Sequence, residues 1–260
     1  MRILLVNPNL TQTITDAMAR AARRAASPGT EIVAVTGTFG PQVISSRAEN
    51  VVAAHGALDL AARHAAGCDA VVLGVSLDSG LGALRELLEV PVVGMLEGGL
   101  HVASLLGARI ALVTFGARLV PLYEELARGY GFAGRVVRVA ALPFAPADAY
   151  AEPARVRSAL AEACRGLAQA DGAEAIVLAG AALAGIGEEI QPDVPVPLVD
   201  GAKAAVALAE GLVRLALPKP RTGSLSHPGA RATAGLSAEL GALFARDLVK
   251  SPKPSKEDPS

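Results

Sequence analysis

The chain has 260 residues, 52% of them apolar and 19% charged, with a formal net charge of −1. That length holds one large domain or two of about 100–150 residues, and the near-neutral balance offers no basic face for nucleic acid and no polybasic patch for membrane lipid. Trp is absent and aromatics make up only 3%, which argues against base-stacking surfaces and leaves an aliphatic core of Ala, Val and Leu.

The first apolar run, Ile3-Leu4-Leu5-Val6, is stopped by Asn7-Pro8, far short of a signal peptide's hydrophobic region. No apolar stretch reaches the roughly 18 residues of a membrane span. From there, short β-rich runs alternate with longer Ala-rich helical stretches. Strands are expected at 2–6, 31–36, 70–75, 91–94, 109–114, 135–140, 174–179 and 196–199. Helices are expected at 11–26, 48–66, 80–88, 97–105, 117–130, 153–170 and 201–216. Near-continuous apolar strands such as Ala70-Val71-Val72-Leu73 suit a parallel sheet buried on both faces, so the expected class is α/β. Residues 218–235 mix Pro, Gly and Ser and read as a surface wrap, and 251–260 has the composition of a disordered tail. Cys68 and Cys164 are too few for a disulfide scaffold and lack metal-ligand spacing. The expectation is a reduced, cytoplasmic, metal-free protein.

The chain repeats itself. Arg2-Ile-Leu-Leu-Val6 resembles Arg109-Ile-Ala-Leu-Val113, Gly67-Cys-Asp-Ala-Val-Val-Leu73 resembles Gly172-Ala-Glu-Ala-Ile-Val-Leu178, and Val90-Pro-Val92 resembles Val194-Pro-Val196. The offsets are 107, 105 and 104 residues. Any two βα units share Val-rich strands, but chance matches have no reason to keep one offset, which favours a duplicated unit. The expected architecture is therefore two similar doubly wound parallel-sheet domains related by pseudo-twofold symmetry. The first spans 1–106 plus a returning helix at about 201–217, the second spans 107–200, and 218–250 forms a C-terminal extension. Ligands of open α/β sheets sit beyond the carboxyl ends of the strands. A cleft between the domains would be lined by Asn7-Pro8-Asn9, Val75-Ser76, Thr114-Phe115 and Gly180-Ala181, with position 75 facing its counterpart 180.

These segments resemble the aspartate/glutamate/hydantoin racemase superfamily, its hydantoin racemase branch above all. The resemblance is carried by Arg2-Ile-Leu-Leu-Val-Asn-Pro-Asn9 and by Asp78-Ser-Gly-Leu81 with Arg85-Glu86. It continues through Pro91-Val-Val-Gly-Met-Leu-Glu97, Arg109-Ile-Ala-Leu-Val-Thr114 and Val194-Pro-Val-Pro-Leu-Val-Asp-Gly201, so it covers about residues 1–217. Leu10 stands where a hydroxyl residue is usual. The resemblance implies an active site between two domains and no cofactor. It also implies a cysteine after the third strand of each domain, one thiolate removing a proton and the other thiol returning one to the opposite face. Those positions fall at Val75 and Gly180, and no cysteine lies within 74–77 or 179–182.

Each remaining candidate has a structural alternative. Ser76 could hold a substrate oxygen or cap a turn. Asp78 could act as a base, although Asp just before Gly80 also reads as the N-cap of the following helix. Asn7 and Asn9 could bind polar atoms or make a turn, and the resemblance favours binding for Asn9. Thr114 and the backbone N–H groups at Ser76 and Ala181 would complete an anion cradle, with Phe115 as an apolar wall. Glu97 and Asp200 each precede Gly at a helix start and suit the helix dipole. His101 could pair with Glu97 on one helical face, catalyse, or simply pack. His55 and His64 read as surface residues. Gly180 leaves room for a bulkier substrate or a water.

The functional expectation is a cofactor-independent enzyme acting at an acidic carbon of a small carboxylate, amino-acid derivative or cyclic amide. It would be of racemase or isomerase type, with Ser76, Asp78 or His101 handling protons in place of cysteine. A lyase or decarboxylase working through an enolate-like intermediate is one alternative, and a binding protein without turnover is another. No Gly-rich phosphate loop follows the first strand, which sets a nucleotide binder aside. The expected partners are a small-molecule substrate and copies of the same chain.

Overall fold

The computed structural model describes residues 1–246. The first half runs β1 (Arg2–Asn7), α1 (Gln12–Ala25), β2 (Glu31–Thr36), α2 (Arg47–His64), β3 (Ala70–Leu73), α3 (Leu81–Leu87), β4 (Val92–Gly94) and α4 (Met95–Leu106). The second runs β5 (Ile110–Phe115), α5 (Val120–Gly129), β6 (Val136–Leu142), α6 (Asp148–Ala151), α7 (Pro153–Gln169), β7 (Ala175–Leu178), α8 (Ile186–Ile190) and β8 (Leu198–Asp200). Helices α9 (Gly201–Leu215) and α10 (Ala238–Phe244) follow. Every expected strand and helix is present, with ends displaced by a few residues at most. The expected tail at 251–260 lies outside the described residues.

Two four-stranded sheets form, ordered β2-β1-β3-β4 and β6-β5-β7-β8, and every pairing is parallel. The same order in both halves is the fold that the repeated segments predict. Side chains alternate across each strand. In β1, Leu4 and Val6 join one buried cluster with α2, whereas Ile3 and Leu5 join another with α1. Both clusters continue into the second sheet, through Ile110 and Leu112 on one side and Ala111 and Val113 on the other. Burying each such side chain contributes roughly 1.5–3 kcal/mol.

Small residues set how closely the halves approach. Helix α9 returns to the first sheet, packing on β3, β4, α1 and α4. A Cβ on Gly99 of α4 would stand 2.9 Å from Val177 of β7, and one on Gly201 would stand 2.6 Å from the Met95 carbonyl oxygen. Real Cβ contacts are not that short, so hydrogen is the only side chain these two positions accept without a shift.

Three helices escape the sequence reading. Helix α10 lies within the Pro- and Gly-rich extension and packs on α2, burying Leu240 and Leu243, with Ser237 accepting the Leu240 N–H as its cap. Helices α6 and α8 are only four and five residues long, too short for a periodicity signal.

Candidate active site

The carboxyl ends of β1, β3, β5 and β7 converge on one pocket between the two sheets, with a cavity of about 40 Å³. Asn9, Val75, Ser76, Thr114, Phe115, Gly180 and Ala181 all line it, so the seven residues assigned to binding from the sequence meet in one place. Ile14 of α1, Val43 and Ile44 from the loop after β2, and Leu119, Tyr123, Pro146 and Ala182 complete the wall.

The polar groups in this wall are hydroxyls, an amide and backbone N–H groups. Ser76 Oγ and the Tyr123 hydroxyl share a 2.5 Å hydrogen bond. Burial pushes the Tyr123 hydroxyl up to about 12, against the lowering effect of Ser76 and Thr114. The Thr114 hydroxyl is buried and makes no hydrogen bond of ordinary geometry among the described residues, although it lies close enough to Tyr123 to lower that hydroxyl. Such an orphan is uncommon, because a buried hydroxyl left unpaired costs about 1–3 kcal/mol. By the offset of 107, Thr114 is the counterpart of Asn7. The Ser76, Leu77, Ala181 and Ala182 N–H groups donate to no described backbone carbonyl, because both segments turn away from their sheets just past the strand ends. The wall is rich in hydrogen-bond donors and holds no charged side chain.

Neither thiol is near. Cys68 Sγ points at the His64 carbonyl at the other end of β3, and Cys164 is buried in α7, where burial raises its thiol to about 12. Val75 is buried, and Gly180 has an extended φ of −173°. A Cβ on Gly180 would make ordinary contacts with Leu183 at 3.4 Å and Phe115 at 3.6 Å, so the space a side chain needs is open.

Asp78 and His101, named from the sequence as proton-handling candidates, lie outside the pocket lining. Asp78 is not the cap of its own helix either. Its backbone takes φ +46°, and Gly80, at φ +82°, occupies the start of α3. The turn sends the Asp78 carboxylate across to the start of α4, where it accepts Leu96 N–H at 3.1 Å, Glu97 N–H at 2.9 Å and the Tyr130 hydroxyl at 2.9 Å. Burial nonetheless pushes its carboxyl up to about 7. His101 is exposed and meets the Phe132 ring edge-on at 5.2 Å, while Glu97 pairs with Arg85 rather than with His101. Asp200 caps α9, accepting Ala202 N–H at 2.9 Å and Lys203 N–H at 3.2 Å.

Sequence reasoning missed Tyr123 and the Val43–Ile44 loop. Tyr123 carried a signal: a tyrosine on the buried face of an amphipathic helix needs a partner for its hydroxyl. The loop carried none, since its residues lie outside any periodic segment.

A profile of the Asp/Glu/hydantoin racemase family matches residues 3–209. The chain is 31% identical over 242 residues to a hydantoin racemase from Pseudomonas sp. (strain NS671), covering 93% of this chain and 97% of that one. Its fold superposes on an allantoin racemase from Klebsiella pneumoniae with a TM-score of 0.88 at 31% identity, covering 92% and 98% of the two chains. The allantoin racemase from Pseudomonas fluorescens gives 0.87 at 36% identity, over 90% and 100%. Fold and sequence agree, and the chain belongs to the Asp/Glu/hydantoin racemase family.

Proposed function

We propose that the chain is a cofactor-independent enzyme that labilises the acidic ring-carbon proton of a small cyclic amide of the hydantoin type. The observation that carries this reading is the Thr114 hydroxyl, buried and unpaired on a residue that lines a pocket otherwise walled by donors and apolar groups. A carbonyl oxygen gives that hydroxyl a partner, and the negative charge that grows on the oxygen as the carbon loses its proton strengthens the bond. Asn9, the Ser76–Tyr123 pair and the free N–H groups of Ser76 and Ala181 surround the same space. A free amino acid fits less well, because no carboxylate in the wall would pair with its ammonium. The names of the relatives, hydantoin and allantoin racemase, support the same substrate class.

Val75 and Gly180 stand at the positions of the family's thiols, and Tyr123, the ionisable side chain of the lining, titrates only at about 12. The proton therefore passes to solvent-derived water or hydroxide admitted where Gly180 leaves space. That same lack of a group titrating near neutrality favours a second reading, a protein that binds such amides without turning them over. A cytoplasmic location and a homo-oligomer belong to the proposal. Exposed Leu105, Leu212 and Leu215, at the ends of the adjacent helices α4 and α9, support association.

Thr114→Val tests the oxygen-binding role. Removing an orphan hydroxyl is expected to stabilise the free protein by about 1 kcal/mol, visible as a higher urea midpoint. It is also expected to weaken binding of 5-methylhydantoin about tenfold by calorimetry. Unchanged affinity would remove Thr114 from the site.

A further inference from the structure

We infer that Asn7 and Thr15 are positioning residues that hold Asn9 as a hydrogen-bond donor, so that this wall selects ligands presenting a carbonyl or carboxylate oxygen. The ligand selectivity rests on the reading of the cleft given above; the positioning does not.

The orientation of both amides is fixed by backbone donors, which have only one sense. Asn9 N–H donates to Asn7 Oδ1 at 3.2 Å, and Thr11 N–H donates to Asn9 Oδ1 at 2.9 Å. Asn7 Nδ2 then gives one hydrogen to Asn9 Oδ1 at 2.9 Å and the other to Thr15 Oγ1 at 2.8 Å. Asn9 is thus left with its oxygen held inward by two donors. Its Nδ2 donates to no described atom, and the residue, 3% exposed, lines the pocket.

The sense of the network continues away from the cleft. Thr15 accepts from Asn7, and because Thr36 spends its own hydrogen on Gln12 Oε1, the 2.6 Å bond between Thr15 and Thr36 takes its hydrogen from Thr15. Thr36 donates to Gln12 Oε1 at 2.7 Å, and Gln12 Nε2 donates to Asp16 Oδ1 at 2.8 Å. A carboxylate can only accept, so the chain cannot reverse. Asn7 and Thr15 are almost fully buried, where a lost partner is costly and connected hydrogen bonds reinforce one another. Neither side chain lines the pocket, so both act through Asn9.

The test compares Thr15→Val, which keeps shape but removes the hydroxyl, with Thr15→Ser, which keeps the hydroxyl. In the ligand-free protein, nitrogen-15 spectra of the asparagine side chains are read first. The Asn7 amide protons should be protected in the wild type and in Thr15→Ser. In Thr15→Val they should exchange with solvent, and the Asn9 amide signals should shift. The dissociation constant for 5-methylhydantoin is measured next, with an expected rise of about tenfold in Thr15→Val and less than about twofold in Thr15→Ser. Asn7 and Asn9 signals in Thr15→Val identical to the wild type would overturn the positioning role. Unchanged affinity despite a released Asn7 would overturn the selectivity. A wild type that binds no hydantoin counts against the cleft reading alone, and the spectra of the free protein still decide the positioning.

Discussion

Replacing Val75 and Gly180 together by cysteine is expected to accelerate deuterium exchange at the ring carbon of 5-methylhydantoin by about 100-fold or more over the native chain. The two positions are related by the offset of 105, and both line the same pocket. The geometry accepts the change. Cysteine is smaller than valine, and Gly180 is extended with room for a Cβ against Leu183 and Phe115. Loss of the Val75 methyl contacts should cost only about 1 kcal/mol. The two single variants separate the roles. Gly180→Cys fills the space of the water with its thiol and should exchange deuterium mainly with retention, whereas Val75→Cys keeps the water beside Gly180 on the opposite face and should also invert, more slowly than the double variant. The double variant has a group on each face and should invert. Proton NMR in D2O combined with chiral chromatography reads both quantities. A double variant that folds and binds 5-methylhydantoin yet exchanges no faster than the native chain would show that 75 and 180 do not flank the reacting carbon.

Asp78 should be a main determinant of stability, with an unusual pH dependence. Asp78→Ala leaves the Leu96 and Glu97 N–H groups and the Tyr130 hydroxyl without their acceptor at the buried start of α4. The expected loss at pH 5 is about 4 kcal/mol, or roughly 10 °C in Tm for a chain of this size. Gly94→Ala should act similarly, because its Cβ would sit 2.6 Å from the Asp78 carboxyl carbon. Burial raises the native carboxyl from about 3.8 to about 7, so the folded state holds this proton more tightly than the unfolded state does. The stability Asp78 contributes is therefore complete below the unfolded value and falls as pH rises through the native one, by about 3 kcal/mol between pH 5 and pH 8. The gap between wild type and Asp78→Ala in urea unfolding should narrow over that range. A gap that widens with pH would show that the three hydrogen bonds, which favour the ionised form, outweigh burial.

The fold was readable in the sequence because parallel strands buried on both faces leave continuous Val- and Leu-rich runs, and because the duplication repeats them at nearly constant spacing. The duplication held more than was extracted from it. Shifting the start of α3 by 105 leads to the start of α8, and the two left-handed glycines that begin these helices, Gly80 and Gly185, differ by the same number. The cleft residues were legible for the same reason, since strand ends are fixed once strands are placed. Asp78 was not. Its spacing before Gly80 is that of a local cap, and only the tertiary approach of α4, permitted by Gly94, draws the carboxylate away. Nor was the pairing of Glu97 with Arg85 rather than His101, for i,i+4 spacing ranks partners within one helix and is silent about a second helix alongside.

The most direct test of the account is proton NMR in D2O of the native chain with enantiopure 5-substituted hydantoins and allantoin. The ring-carbon proton is expected to disappear faster than in buffer alone, at a rate that climbs with pH from 6 to 10 without a bell-shaped maximum, because Tyr123 titrates only at about 12. No acceleration with any compound, alongside thermal stabilisation by some of them, would contradict catalysis and leave a binding protein built on the racemase fold.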